Sequence, residues 1–434
     1  MKRSFTFRFH ASANLSFWMA VLSGLGILFL VIFQWLILQI IGPGSHTDAF
    51  FAAMVVPEIF QSAITASLTH VLVPLFSTAE KDRLTVYAST FLLGVGALFF
   101  FISLFLSLTA AYWIPIVFPG FDAQAIQLTS LLVKIQLFAM IPTALAAVLG
   151  AVSNAKNRFL NVEASSVAAA AAALLLLIWG LPRYGIAAAA WALCLRATVQ
   201  LLLLSPVLDA FPLPDWKDVT VRDGVCRLFP LVFGASFYKT EVLLDRLLAS
   251  LAAPGQLSLF QFARQFFSAG NTVIGKAIVT PAVPVLAEHA KNLHWDLFQR
   301  VSTSRLLVSI GLCALFFLPF LLLGKPILSA LLIHGSFAGK DVGTLFFFLL
   351  LLGGLWFGGA AGQVLATSYY AKGDTRTPTR IGVYAYLAGV IIKITGFLWG
   401  GVAGLAFGTS LYFLLSAAWL QWSLHRSLKN FHSS

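Results

Sequence analysis

Lys239, Glu241, Asp245 and Arg246 all fall within one apolar stretch, FPLVFGASFYKTEVLLDRLLAS, residues 229–250. A charged side chain at the centre of a bilayer costs about 2.5–3.5 kcal/mol on insertion scales, so such groups normally face a cavity or a partner. On a helix Lys239 and Arg246, seven apart, share one stripe. Glu241 and Asp245, four apart, share another. At about 100° per residue the two stripes lie roughly 140° apart. The acids and bases of this helix therefore cannot simply neutralise one another, and at least one stripe must meet water or residues on other helices. The next stretch adds Arg264 and Lys276, with Gln261, Gln265 and Asn271 between them. Earlier stretches add Glu58 with Gln61, and Lys134 with Gln136.

Seven Lys and Arg lie inside apolar stretches, against three clear acids, Glu58, Glu241 and Asp245. One reading is a hydrated cavity of net positive character, suited to an anionic or polar headgroup. The other is a set of interhelical ion pairs that fix packing. Arg196 and Lys393 stand in stretches otherwise without charge and fit either snorkelling or a buried pair. Asp48, after Thr47 at the start of a stretch, fits an N-cap or a functional position. Pro57 and Pro142 predict kinks. No nucleophile elbow, HExxH pair or phosphate-cradling glycine loop is present, so neither catalysis nor ATP use is read from this chain.

These residues need an apolar frame, and the chain supplies one. Of 434 residues 59% are apolar and 10% charged, against about 45–50% and about 25% in soluble domains. Twelve stretches have the length to span a bilayer: 15–41, 49–76, 85–111, 123–150, 160–181, 184–206, 229–251, 257–286, 306–323, 344–370, 381–400 and 402–424. Of 28 Lys and Arg, 18 fall in every second loop and the tails, three in the alternate loops, and seven inside spans. The asymmetry predicts a multi-pass membrane protein with both termini cytoplasmic. The net charge of +12 is thus a topology signal, and its dispersal argues against a nucleic-acid partner. The basic start MKRSFTFRFH leads into a run too long for a cleaved signal peptide. Cys194, Cys226 and Cys313 show no metal or disulfide spacing.

Residues 206–223, PVLDAFPLPDWKDVTVRD, read as a cytoplasmic linker between an N-terminal six-helix half, 1–205, and a C-terminal six-helix half, 224–434. A shift of 210 positions lays the segment from Asp48 over that from Ser258, with Pro74 on Pro284 and Lys81 on Lys291. A shift of 216 lays Ala155-Lys156 on Ala371-Lys372 and Gly185 on Gly401. Six helices per half means that both halves insert the same way up, as a parallel pseudo-repeat with a site near the midplane.

Several motifs, in order, carry a family resemblance: GPGSHTDAFFAAMVVPEIF from Gly42, VLLDRLLASLAAPGQLSLFQFARQF from Val242, VTPAVPVLAE from Val279, LLIHGSFAGKDV from Leu331 and YYAKGDTRTPTRIGV from Tyr369. Together they resemble the MurJ/MviN lipid II flippases of the multidrug/oligosaccharidyl-lipid/polysaccharide exporter superfamily. The resemblance implies a V-shaped MATE/MurJ-like bundle. It implies flipping of an undecaprenyl-pyrophosphate-linked glycan precursor, lipid II for peptidoglycan synthesis, across the bacterial inner membrane by alternating access. The substrate-binding set it suggests is Lys239, Arg246, Arg264, Asp245, Glu241, Gln265, Gln61, Asp48 and Lys134, with Asp48 and Asp245 matching polar family positions.

Three departures stand out. Span one lacks the family's arginines, and Gln61-Ser62 occupy the place of its basic pair. The family's ADR becomes Ala263-Arg264-Gln265, which moves the arginine by one position, about 100° around the helix. Usual members also carry a further pair of spans. The implied protein works without an organic cofactor, driven by H+, Na+ or the membrane potential. It acts as a monomer whose partners are the lipid-linked sugar and membrane lipids. A cation-coupled multidrug exporter of the same superfamily and a non-transporting scaffold for cell-wall enzymes are the alternatives.

Overall fold

The structure is a computed structural model that describes residues 2–432 apart from residue 334; side chains are described from Trp18 onward, apart from residues 64, 66, 81, 229–239 and 429–432. Among the described residues it is all helical. Ten helical stretches there are long and apolar enough to cross a membrane. The last of them, Arg376–Leu428, is two helices broken at Gly400 and Gly401, and Val219–Ser250 adds a further helix of 32 residues. The break falls between the predicted spans 381–400 and 402–424, while several helices run well past their predicted spans, as Trp295–Leu332 does past 306–323.

The chain divides into two compact units, residues 1–41 with 45–251, and residues 42–44 with 252–434. The first holds α1 (Lys2–Ile41), α2 (Ser45–Ala53), α3 (Val55–Thr78), α4 (Lys81–Leu108), α5 (Ala110–Val117), α6 (Ala123–Ala155), α7 (Phe159–Tyr184), α8 (Ala187–Leu204) and α9 (Val219–Ser250). Within it α6 is the hub, packed against α2, α3, α4 and α8, while α9 lies on α3. Buried alanines, including Ala169, Ala173, Ala189 and Ala192, let α7 and α8 approach closely. The large apolar side chains point outward, as at Leu175, Ile178 and Trp191.

The linker proposed from sequence as a divider is instead strapped onto this first unit. Arg83 lies 3.6 Å from Asp218 and 3.9 Å from Asp215. The Tyr87 hydroxyl donates to Asp218 at 3.1 Å, the Asp215 N–H donates to the Thr90 hydroxyl at 2.9 Å, and Lys156 Nζ donates to the Val207 carbonyl at 2.7 Å. Trp216 covers Gly94, where a Cβ would come within 2.8 Å of the indole. With the linker fastened and α9 packed on α3, the compact division comes after Leu251 rather than at residues 206–223.

The second unit holds α10 (Gln256–Ile274), a π-helical turn (Gly275–Val279), α11 (Thr280–Lys291), α12 (Trp295–Leu332), α13 (Gly339–Leu351), α14 (Gly353–Ala371) and the broken α15 (Arg376–His432). Here α14 is the hub, against α10, α11, α12 and α15. Leu286, Phe298, Leu365 and Tyr369 lie in its core. The two parts of α15 touch backbone to backbone, so that a Cβ at Gly396 or Gly404 would collide with the other's carbonyl.

The internal repeat is written in the backbone as well. Asn157 and Gly373, 216 apart, both take positive φ, 58° and 81°. The N–H of Arg158 donates to the Ser153 carbonyl at 2.8 Å, and that of Asp374 to the Tyr369 carbonyl at 3.0 Å, again 216 apart. Gly185 and Gly401 share φ near 60°, with ψ of −151° and −140°. Each unit thus repeats the same helix-ending turns in the same order.

Candidate functional site

In the first unit the polar residues gather where α2 gives way to α3. Pro57 has no N–H for the Ala53 carbonyl and its ring crowds that carbonyl, so the helix breaks at Met54, as the proline predicted. The break leaves carbonyls in the last turn of α2 without helical partners. Arg246 of α9 takes one of them: Nη1 donates to the Phe51 carbonyl at 2.8 Å. Its Nη2 donates to Glu58 Oε2 at 2.7 Å. The Arg246 side chain is 1% exposed, and Glu58 is 49% exposed. Asp48 and Asp245 are buried nearby in sequence, on α2 and α9.

In the second unit α10, α14 and α15 enclose a cavity of about 440 Å³. Arg264, Ser268 and Asn271 line it from α10, Gln363 from α14, and Tyr412 and Ser416 from α15. Three glycines of α14, Gly358, Gly359 and Gly362, form its floor. The α10 wall ends in the π-helical turn at Gly275, a feature often found at functional sites. Behind Tyr412 lies Lys393, fully buried, its ammonium 5.5 Å from the ring centre.

The family description lipid II flippase MurJ matches residues 37–434. The chain belongs to the MurJ family. The probable lipid II flippase MurJ of Vibrio cholerae serotype O1 is 25% identical over 420 residues, covering 89% of this chain and 78% of that protein. Its counterpart in Helicobacter pylori strain J99 is 24% identical over 402 residues, covering 86% of each. Among solved structures, lipid II flippase MurJ in an inward closed conformation superposes with a TM-score of 0.82 at 16% identity, over 94% of this chain and 87% of that one. An inward-facing MATE multidrug-resistance transporter reaches 0.79 at 13% identity, over 94% and 96%. These likenesses establish the shared helical fold.

Set in the MurJ fold, the sequence-predicted residues part company. Arg246 takes the ion-pair role, its guanidinium committed to Glu58 and Phe51. Arg264 lines the second unit's cavity, and Gln265 is not among its described lining residues. Lys134 is exposed on α6, and Gln61 and Glu241 are half-buried. Asp48 stands within the first turn of α2, which begins at Ser45, so the N-cap reading gives way: the helix starts earlier than position 48. The side chain of Lys239 lies outside the described residues. Sequence reasoning noted Asn271 only in passing and missed Gln363, Tyr412 and Ser416. The run GGLWFGGAAGQ, residues 353–363, was the available signal, since glycines on one helix face leave room for a ligand or a close neighbour.

The segment that most resembles the family, YYAKGDTRTP, builds a turn rather than a pocket. Gly373 supplies the positive φ, and Asp374 Oδ1 accepts from the Thr377 N–H at 3.0 Å at the start of α15. Lys372 donates to Ser427 at 2.8 Å and stands 4.0 Å from Asp374. Burial pushes the Asp374 carboxyl up, but the Thr377 hydrogen bonds and the Lys372 charge outweigh it and hold the group below the ordinary aspartate range. Burial likewise lowers the Lys372 ammonium.

Proposed function

We propose that this chain flips lipid II, an undecaprenyl-pyrophosphate-linked glycan precursor of peptidoglycan, across the bacterial inner membrane. The observation that carries the reading is the MurJ family match over residues 37–434, joined to relatives named as lipid II flippases. Arg264, at a polar cavity within the transmembrane part of the second unit, suits an anionic headgroup, and we assign it to the phosphates. Asp48, Asp245, Glu241, Gln61, Gln265, Lys134 and Lys239 remain assigned to the transport pathway as position-by-position proposals. Both termini are placed in the cytoplasm, in keeping with the 18 cations in every second loop and the tails.

The chain acts as a monomeric translocator without chemistry of its own. An inside-negative potential favours outward movement of an anion by about 2.3 kcal/mol per charge per 100 mV. That drive, alone or with H+ or Na+, replaces ATP in the proposed cycle. The test is growth rescue after depletion of a resident MurJ. Restored growth with lipid II reaching the outer leaflet supports the reading; resistance to cationic drugs without rescue moves the chain to the multidrug-exporter class.

A further inference from the structure

The second unit's cavity is built for more than an anion. Asn271 is 8% exposed, lines the cavity, and its Oδ1 has no hydrogen-bond partner among the described residues. An unpaired buried carbonyl of this kind normally costs about 1–3 kcal/mol, which a donor on a ligand recovers. The Asn271 amide is held in place by α14: a Cβ at Gly359 would collide with its Nδ2. One turn further along α14 the carboxamide of Gln363 lies against Gly275, the first residue of the π turn, so close that any side chain there would displace it.

The remaining wall adds hydroxyls at Ser268 and Ser416 and the ring of Tyr412. Planar carboxamides that both donate and accept, short hydroxyls and an aromatic face together fit a sugar ring. Its hydroxyl and acetamido groups offer paired donors and acceptors, and its C–H face packs on aromatics. The volume, about 440 Å³, lies in the usual range of ligand cavities, about 300–1,000 Å³. Among the described residues the cation lining it is Arg264, two turns of α10 away from Asn271.

We infer that Asn271 and Gln363 form a sugar-recognition subsite, reading the donor hydroxyl or acetamido N–H of the transported glycan while Arg264 takes the adjoining phosphate. The inference rests on the lipid-linked glycan reading above and adds to it the part of the substrate that is read and the residues that read it.

The test uses the full chain purified in detergent and two soluble probes, diacetylchitobiose for the sugar and inorganic pyrophosphate for the phosphate. Wild type binds both saturably. Asn271→Leu weakens the disaccharide by about tenfold, the equivalent of one lost hydrogen bond of about 1.4 kcal/mol, and leaves pyrophosphate unchanged. Arg264→Gln does the reverse. Gly359→Ala, which displaces the Asn271 amide without removing it, repeats the Asn271→Leu pattern and serves as the second variant. Size-exclusion profiles show which variants fold. Absence of disaccharide binding by wild type, or equal binding by wild type and the folded variants, overturns the subsite even where wild type flips lipid II. Disaccharide binding that depends on Asn271 in a chain that fails to flip lipid II sinks the transport reading and leaves the subsite standing.

Discussion

Arg246 and Glu58, 188 residues apart in sequence, meet at 2.7 Å, and the same guanidinium caps the Phe51 carbonyl on the far side of the α2–α3 break. One side chain of α9 thereby holds both flanks of a proline-induced discontinuity. The two stripes on α9 left open whether its cations would find water or partners. For Arg246 the partner is a carboxylate on a neighbouring helix. Among the described residues its Nε–H is buried without a partner, so there the clamp satisfies the guanidinium only in part.

Removing Glu58 strands this charge. Breaking a buried pair by deleting one member costs about 3–5 kcal/mol. Glu58 is half exposed, so water can reach the vacated end of the guanidinium and the cost falls to about 1–3 kcal/mol. Glu58→Ala is expected to lower the thermal unfolding midpoint in detergent, and Arg246→Met to lower it independently through the uncapped Phe51 carbonyl. The double variant is expected to lie above the sum of the two losses. Strict additivity in that cycle would mean the pair is not coupled.

Arg264 carries the opposite expectation. It is half-buried and lines a cavity. Arg264→Gln slows lipid II translocation by about tenfold or more per folded molecule, from the loss of a charged hydrogen bond worth about 1.5–3 kcal/mol. Arg264→Lys recovers only part, because an ammonium lacks the planar fork that binds phosphate in two places. Translocation in reconstituted vesicles reads the difference.

The contrast between these two arginines marks the limit of legibility in the sequence. Spans were readable because about 20 apolar residues are a length requirement, and length survives any packing arrangement. The break near Pro57 and the one at Gly400-Gly401 were readable because each follows from local backbone chemistry. The partner of Arg246 was not, since helical periodicity gives the stripe a residue occupies but not the helix opposite it. The linker was readable as a connection from its prolines and aspartates, but its anchors, Arg83, Tyr87, Thr90 and Lys156 elsewhere in the first unit, were not. The cavity in the second unit depended on glycines of α14 meeting Asn271 of α10, a contact between helices that no single-helix pattern contains.

Acid pH offers an independent test of two caps outside the membrane. Asp218 accepts from the Thr220 N–H, and this bond, with Tyr87 and Arg83, holds its carboxyl below the ordinary range against the opposing effect of burial. Asp374 is depressed likewise, net of burial. A carboxyl whose folded value is depressed contributes stability that is fully present above its unfolded value, about 3.9, and is lost as pH falls through the lower folded value. Asp218→Asn and Asp374→Asn are therefore expected to flatten the acid side of the midpoint-against-pH curve below about pH 4–5, while changing the midpoint least at the acid end. Asp374→Ala, which also deletes the acceptor at the start of α15, costs about a further 1 kcal/mol at neutral pH. An acid limb of unchanged slope in both Asn variants would remove these groups from the titration.

Gly185 and Gly401 supply the last test, because the repeat makes them a matched pair. Both hold φ near 60° with strongly negative ψ, a region where a Cβ clashes with its own backbone whatever space surrounds it. Nothing lies within 4 Å of a Cβ built at either position, so a substitution there meets no neighbour and reports backbone strain alone. Ala at each is expected to cost about 1–3 kcal/mol. Gly404→Ala gives the counter-case: its φ is ordinary, but its Cβ would enter the Gly396 carbonyl, so the penalty there comes from forcing two helices apart. The two origins separate in a second-site test. At 401 Asn costs about as much as Ala, because ψ near −140° lies outside the left-handed helical region that Asn tolerates, whereas at 404 the loss grows with side-chain size. Ala at 185 and 401 that leaves the unfolding midpoint unchanged would show that the turn conformation is not what these glycines secure.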